Sequence, residues 1–444
     1  MLIFALVLFL INYTLLLIFP KYRAYIALGT AAIFVMMRLT SVEKIFSVEW
    51  MANWNVLMMI LGTMGVVTLF IESKMPALLA DYIIDKMPNI KWTTIALSLF
   101  AGLISAFIDN VATVLMVAPV AVTIAKKLKI SPVNMIIAIS ISSNLQGAAT
   151  LVGDTTSILL GAEAGMNFID FFFMKVSEAG GYKPCLFWIC QAGAAASVLV
   201  LLFLFRKEKQ PLFIKGKTVV TDYVPSYLLL GTIILLIVAS LMPFSDVFRE
   251  SVPINGIICT GLFVIGIIRK LVQKSDIKDS LKELDFFTIL LLLSLFVIID
   301  GVEEAGVIQK IGEAIQTISD GNVFIIFTIL TWISVALSAV IDNIPYVMTM
   351  LPVATAMADM PGVPAETRYV FYFGLVVGAT LGGNLTPIGA SANIAGLGIL
   401  RKEGYEVSVG RFMKISVPFT LSAVITGYIL VWLLFKPAGI PFFG

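Results

Sequence analysis

A chain of 444 residues that is 59% hydrophobic and only 13% charged, with a mean hydropathy of +1.00, is not a soluble domain, which carries nearly twice that share of charge. Its formal net charge of +2 is too small to suggest a nucleic-acid partner. Histidine is absent, so a histidine relay or a histidine-ligated metal is excluded and proton chemistry falls to carboxylates.

At ~20 residues per span, the length allows about ten membrane spans plus their connections. The opening Met1–Pro20 is apolar and lacks a basic leader region, so it reads as a first span with Lys21 and Arg23 at its inner end. Apolar runs long enough for full spans fall near 2–20, 24–37, 54–72 and 184–205, then near 226–243, 252–270, 285–300 and 413–436. Between the two sets, 206–225 contains the most polar stretch of the chain, with Arg206, Lys207, Lys209, Lys215 and Lys217. It reads as a cytoplasmic linker joining a first repeat, 1–205, to a second, 226–444. Arg269, Lys270 and Lys282 then also fall inside. Cys185, Cys190 and Cys259 all lie in apolar runs and read as packing residues, with no disulfide or metal site expected.

The regions 92–125 and 322–358 are each too long for one span, and each is interrupted by the same phrase. Ser105-Ala-Phe-Ile-Asp109-Asn110 recurs 233 residues later as Ser338-Ala-Val-Ile-Asp342-Asn343, and the ungapped stretches 105–125 and 338–358 match at ten of 21 positions. The reading is a pair of re-entrant helical hairpins with polar tips, tolerated at membrane depth where protein or a water-filled cavity surrounds the backbone. The first hairpin ends in Lys126, Lys127 and Lys129. The second runs on from Ala358 to Glu366 without a basic residue before Arg368. Opposite charge bias on equivalent ends predicts an inverted repeat.

A second polar interruption follows each hairpin. In 132–165 it contains Asn144, Thr150, Gly153 and Asp154; in 366–400 it contains Asn384, Thr386, Gly389, Ser391 and Asn393. At an offset of 236, Gly147, Thr150, Gly153 and Ile158 fall on Gly383, Thr386, Gly389 and Ile394. These segments read as discontinuous helices, whose free carbonyls and hydroxyls suit a cation and whose half-helix N-termini favour an anion.

An intramembrane carboxylate is a functional hypothesis by default, and here one appears twice. Asp109 and Asp342 are therefore the leading ion sites; the structural alternative is that they only cap the helices that follow. Asn110 and Asn343 suit a cation or a turn, and Thr113 lies one turn further on. Asp154 faces no carboxylate counterpart, because Ala390 fills that slot; it either biases one half toward cations or caps the helix at Thr155. Gly153 and Gly389 serve close backbone approach. Glu72 and Glu303 correspond at an offset of 231 and read as interfacial charges near span ends.

At these residues the chain resembles the ion transporter superfamily. The likeness is to its citrate transporter-like branch of arsenite permeases and NhaD-type sodium/proton antiporters, which also includes the melanosomal P protein. The likeness rests on the Ser105–Gly161 region, on Ser338–Pro345, and on the order of elements along nearly the whole chain. It departs at Thr155-Thr156-Ser157, where many relatives carry two prolines and an asparagine. Related divalent anion/sodium symporters place Ser-Asn-Thr at the hairpin tips; Ile-Asp-Asn stands here instead. Two like charges at ~4 Å repel by about 4 kcal/mol at an effective dielectric of 20, so these tips disfavour a dicarboxylate and favour sodium or protons.

The expectation is thus an all-α polytopic membrane protein. It would be built from two inverted repeats of about five transmembrane helices, each with a re-entrant hairpin and a discontinuous helix. The expected activity is secondary active transport by alternating access, sodium/proton antiport first, with sodium at Asp109, Asn110, Asp342 and Asn343. Export of arsenite or another anion, and cation-coupled uptake of a small carboxylate, are the rivals; an intramembrane aspartyl protease is the distant alternative. No cofactor is expected beyond the bound ion. The partners are the lipid bilayer of an inner or plasma membrane and small inorganic ions or a small anion. The resemblance implies a homodimer.

Overall fold

The computed structural model describes residues 1–176, 181–211, 218–360, 363–364 and 366–437. Residues 212–217 of the expected linker, 361, 362 and 365 beyond the second hairpin, and 438–444 lie outside the described residues.

The chain is an all-α multi-pass membrane protein. Seven of the helices described are long and apolar enough to cross a membrane, or up to nine if each of two sharply bent pairs is one span. The first half opens with Leu2–Ile18 and Arg23–Met36, bent by 113° about the connection that holds Pro20, and continues with Met51–Glu72. The helices Ile90–Ser105 and Asn110–Leu128 flank the first Asp-Asn, and Val133–Gln146 and Thr155–Glu163 flank the first glycine-rich break. Leu186–Leu204 closes that half. The second half gives Val224–Leu241, Ile254–Val272, Phe286–Glu304, the pair Val323–Ser338 and Asn343–Ala358, the pair Thr367–Gly382 and Ser391–Lys402, and finally Val409–Phe435.

Two helices of ten or more residues escaped the sequence reading, Met75–Ile84 and Val307–Ser319. Each precedes a hairpin and is too short for a span, and each starts after a left-handed residue, Lys74 or Gly306, that turns the chain sharply. A short antiparallel ribbon, Phe173–Lys175 with Tyr182–Pro184, was likewise unforeseen.

The interior is formed by the broken helices. Every residue of Val133–Gln146 except Asn134 is buried, as is every residue of Thr367–Gly382 except Arg368 and Tyr369. By contrast, Val224–Leu241 and Ile254–Val272 leave large apolar side chains such as Leu230, Ile234, Val264 and Ile268 exposed, the surface a bilayer covers. The two broken segments are pinned to each other at depth: Asn144 donates Nδ2–H to the Thr380 carbonyl at 2.8 Å, and Asn384 donates to the Ile141 carbonyl at 2.8 Å. An amide side chain that donates to a backbone carbonyl of the other broken helix removes the cost of burying its own N–H unpaired.

Candidate functional site

Each Asp-Asn tip is a helix start. Asp109 precedes the helix Asn110–Leu128 and accepts the Ala112 N–H at 3.0 Å; Asp342 precedes Asn343–Ala358 and accepts the Ile344 N–H at 3.1 Å. The glycine-rich breaks also end in helix starts, at Asp154 before Thr155 and at Ala390 before Ser391. Asp154 accepts the Thr155 N–H at 2.8 Å and the Thr156 hydroxyl at 3.1 Å, whereas Ala390 supplies no side-chain cap. Four helix N-termini, with their positive dipole ends, thus converge on one place, and three of them carry a carboxylate of their own.

Tip and break lock together identically in both halves. Thr150 donates its hydroxyl to the Ala106 carbonyl, and Thr386 donates to the equivalent carbonyl of Ala339. A Cβ on Gly153 would sit 2.6 Å from the Gly147 carbonyl oxygen and 2.8 Å from that of Ala106. On Gly389 it would sit 2.7 Å from those of both Gly383 and Ala339. Only glycine allows backbone to approach so closely at these two positions.

A cavity of about 510 Å³ opens where these starts meet. Its lining includes Asp109, Asn110, Asp154, Thr155, Asp342, Asn343 and Ser391, joined by Arg23, Thr68 and Glu72, and by Glu283, Asp285 and Thr288. Six of the lining residues are carboxylates and one is a guanidinium. Arg23 Nη1 lies 2.5 Å from Asp342 Oδ2, a charge-assisted bond that engages the second oxygen of that carboxylate. Among the described residues no cation pairs with Asp109, and Asp285 and Asp154 add negative charge around it. At the edge of the cavity Glu72 is paired with Lys270 and accepts the Ser280 hydroxyl at 2.7 Å.

The model of the citrate transporter family matches residues 13–372. The chain belongs to that family. An uncharacterized transporter of Mycobacterium tuberculosis is 28% identical to this family member over 441 residues, covering 97% of this chain and 98% of its own. The human P protein is 26% identical over 460 residues, covering 86% of this chain and 54% of that one. Among solved structures, the YdaH transporter of Alcanivorax borkumensis aligns over 94% of this chain and 98% of its own, with a TM-score of 0.55 and 14% identity. MtrF of Neisseria gonorrhoeae, described as one of a class of antimetabolite efflux pumps, aligns over 97% of each chain with a TM-score of 0.51 and 14% identity. At that identity the likeness concerns the fold alone.

Of the residues singled out from the sequence of this family member, Asp109, Asn110, Asp154, Asp342, Asn343 and Ser391 line the cavity. The others lie behind it. Asn144 accepts from Asn110 Nδ2 at 2.8 Å; Asn393 donates to the carbonyls of Gly383 and Thr386 at 3.2 and 3.1 Å; Thr150, Gly153, Asn384, Thr386 and Gly389 make the contacts already described. Thr113 is fully buried and its hydroxyl has no partner among the described residues. Both hairpin aspartates do cap their helices, each through one carboxylate oxygen. Arg23, Glu283, Asp285 and Thr288 were not foreseen. Glu72, read as an interfacial charge, lines the cavity, while its counterpart Glu303 lines a separate cavity of about 150 Å³ with Glu163 and Asp300.

Proposed function

We propose that this transporter exchanges sodium for protons, with the carboxylate of Asp109 as the group for which the two ions compete. The observation that carries the reading is the lining of the central cavity, six carboxylates against one guanidinium. Two negative charges ~4 Å apart repel by about 4 kcal/mol at an effective dielectric of 20, so free citrate meets opposition where a cation meets attraction. Asp109 has one oxygen on its own helix start and the other free of any ion pair among the described residues. Asn110 beside it and the buried Asp154 opposite supply further oxygens. A carboxylate that holds either sodium or a proton, but not both, yields exchange when the two repeats, inverted with respect to each other, alternate access to the two membrane faces.

Everted vesicles carrying a pH-sensitive dye test the reading. Adding sodium is expected to dequench the dye, with half-saturating sodium rising as pH falls. Folded protein that gives no response at any pH would overturn it.

A second reading has its own support. The helix Ser391–Lys402 opens on the cavity with no side-chain cap, and Arg23 lines the same space. An uncapped N-terminus and a guanidinium suit a carboxylate substrate carried with cations. Counterflow of labelled citrate into proteoliposomes, dependent on sodium, separates this from simple exchange.

A further inference from the structure

The two hairpin tips differ by a charge that the duplication does not supply. Arg23 begins the helix Arg23–Met36, and at the offset of 231 that relates Glu72 to Glu303 the residue is Ile254, which begins Ile254–Val272. The arginine is thus peculiar to the first half, and its guanidinium reaches across to the tip of the second. Its helix is seated along Phe286–Glu304, with the Tyr25 ring edge-on to Phe287 at 5.7 Å and Phe34 packed over Gly301. That partner helix carries Thr288, capped by Asp285, at the cavity wall. Tyr13, on the helix before Arg23, donates its hydroxyl to the Pro345 carbonyl at 2.5 Å, two residues past the second Asp-Asn. The opening helices therefore clasp the second tip at two points, one of them ionic.

We propose that Arg23 is a specificity-determining residue: a tethered cation that occupies the Asp342 tip and restricts the cavity to one transported monovalent cation, bound on the Asp109 side. This rests on the cation-exchange reading above. Asp342 uses Oδ1 for the Ile344 N–H and Oδ2 for Arg23, so its charge is already balanced by a guanidinium and attracts a second cation weakly. Both side chains are about a quarter exposed, 22% for Arg23 and 26% for Asp342, so the guanidinium can be displaced into the cavity. Without it, a second carboxylate becomes available to sodium.

The test measures sodium-driven proton release in proteoliposomes as a function of sodium concentration. The wild type is expected to show a Hill coefficient of about one, and Arg23→Gln one that moves toward two. Half-saturating sodium should fall on the order of tenfold in Arg23→Gln, the scale of one unit charge removed from a site of effective dielectric about 20. Arg23→Lys keeps the wild-type coefficient. Arg23→Cys should behave as the glutamine variant and return to wild-type behaviour when an aminoethyl methanethiosulfonate adds a positive charge, but not with a neutral reagent of similar size. Cys185, Cys190 and Cys259 are all buried, so labelling reports position 23. Asp342→Asn, a second route should Arg23 variants fail to fold, is expected to exchange with a coefficient of about one and a raised half-saturating sodium. Abolished exchange in Asp342→Asn, or an unchanged coefficient and affinity in Arg23→Gln, overturns the role of Arg23. A wild type that releases no protons on sodium addition removes the exchange reading itself.

Discussion

The first and second hairpin tips share the sequence Ile-Asp-Asn, the same capping of the next helix and the same threonine and glycine contacts from the adjoining break. Their charge differs. Asp109 has no cation paired with it among the described residues, and Asp154 and Asp285 lie near it; Asp342 is paired with Arg23, and the slot equivalent to Asp154 holds Ala390. The two tips share their mechanical parts, in which backbone meets backbone, while their electrostatics differ: one tip is anionic and the other compensated. Backbone approach tolerates no side chain, whereas the balance of charge at a cavity is reset by one residue on another helix.

The largest effects should ignore this difference. Gly153→Ala and Gly389→Ala each drive a Cβ to within 2.6–2.7 Å of carbonyl oxygens on backbone that cannot yield. Each is expected to cost about 3 kcal/mol. Thermal aggregation of the detergent-solubilised variants measures it, and a tolerant Gly389→Ala beside an intolerant Gly153→Ala would break the mechanical equivalence.

Next in size is the effect that should separate the tips. Asp109→Asn is expected to weaken sodium-dependent exchange by at least about a hundredfold, since an ion pair at ~4 Å and an effective dielectric of 20 contributes about 4 kcal/mol. Asp154→Asn follows, with half-saturating sodium raised about tenfold, because it acts on the ion from across the cavity. If Asp154→Asn proves harmless, the anionic character of the first tip rests on Asp109 alone. Smallest are Thr150→Ala and Thr386→Ala, each losing one hydroxyl bond to a carbonyl and about 1 kcal/mol of stability. Near-equal losses in the two, read from the same aggregation curves, sharpen the claim that the tips are mechanically alike.

Much of this was legible in the chain. The repeated Asp-Asn and the glycine–threonine breaks mark the cavity because polar and conformationally special residues stand out against apolar spans. Arg23 was not legible in its role. Next to Lys21 at the end of a first span it satisfies the positive-inside pattern, and nothing local shows its side chain turning back to a tip 319 residues away. Glu72 shows the same limit: a charge at a span end reads as interfacial, and nothing local shows that it also lines the cavity. Met75–Ile84 and Val307–Ser319 were missed because they are shorter than a span and their sharp entry turns use a lysine in one half and a glycine in the other.

The most direct test of unequal tips is equilibrium binding of radiolabelled sodium to purified protein. The expected result is about one sodium per chain, lost in Asp109→Asn and retained with weaker affinity in Asp342→Asn. Two sodium ions per wild-type chain, or binding that survives Asp109→Asn and disappears in Asp342→Asn, would contradict it.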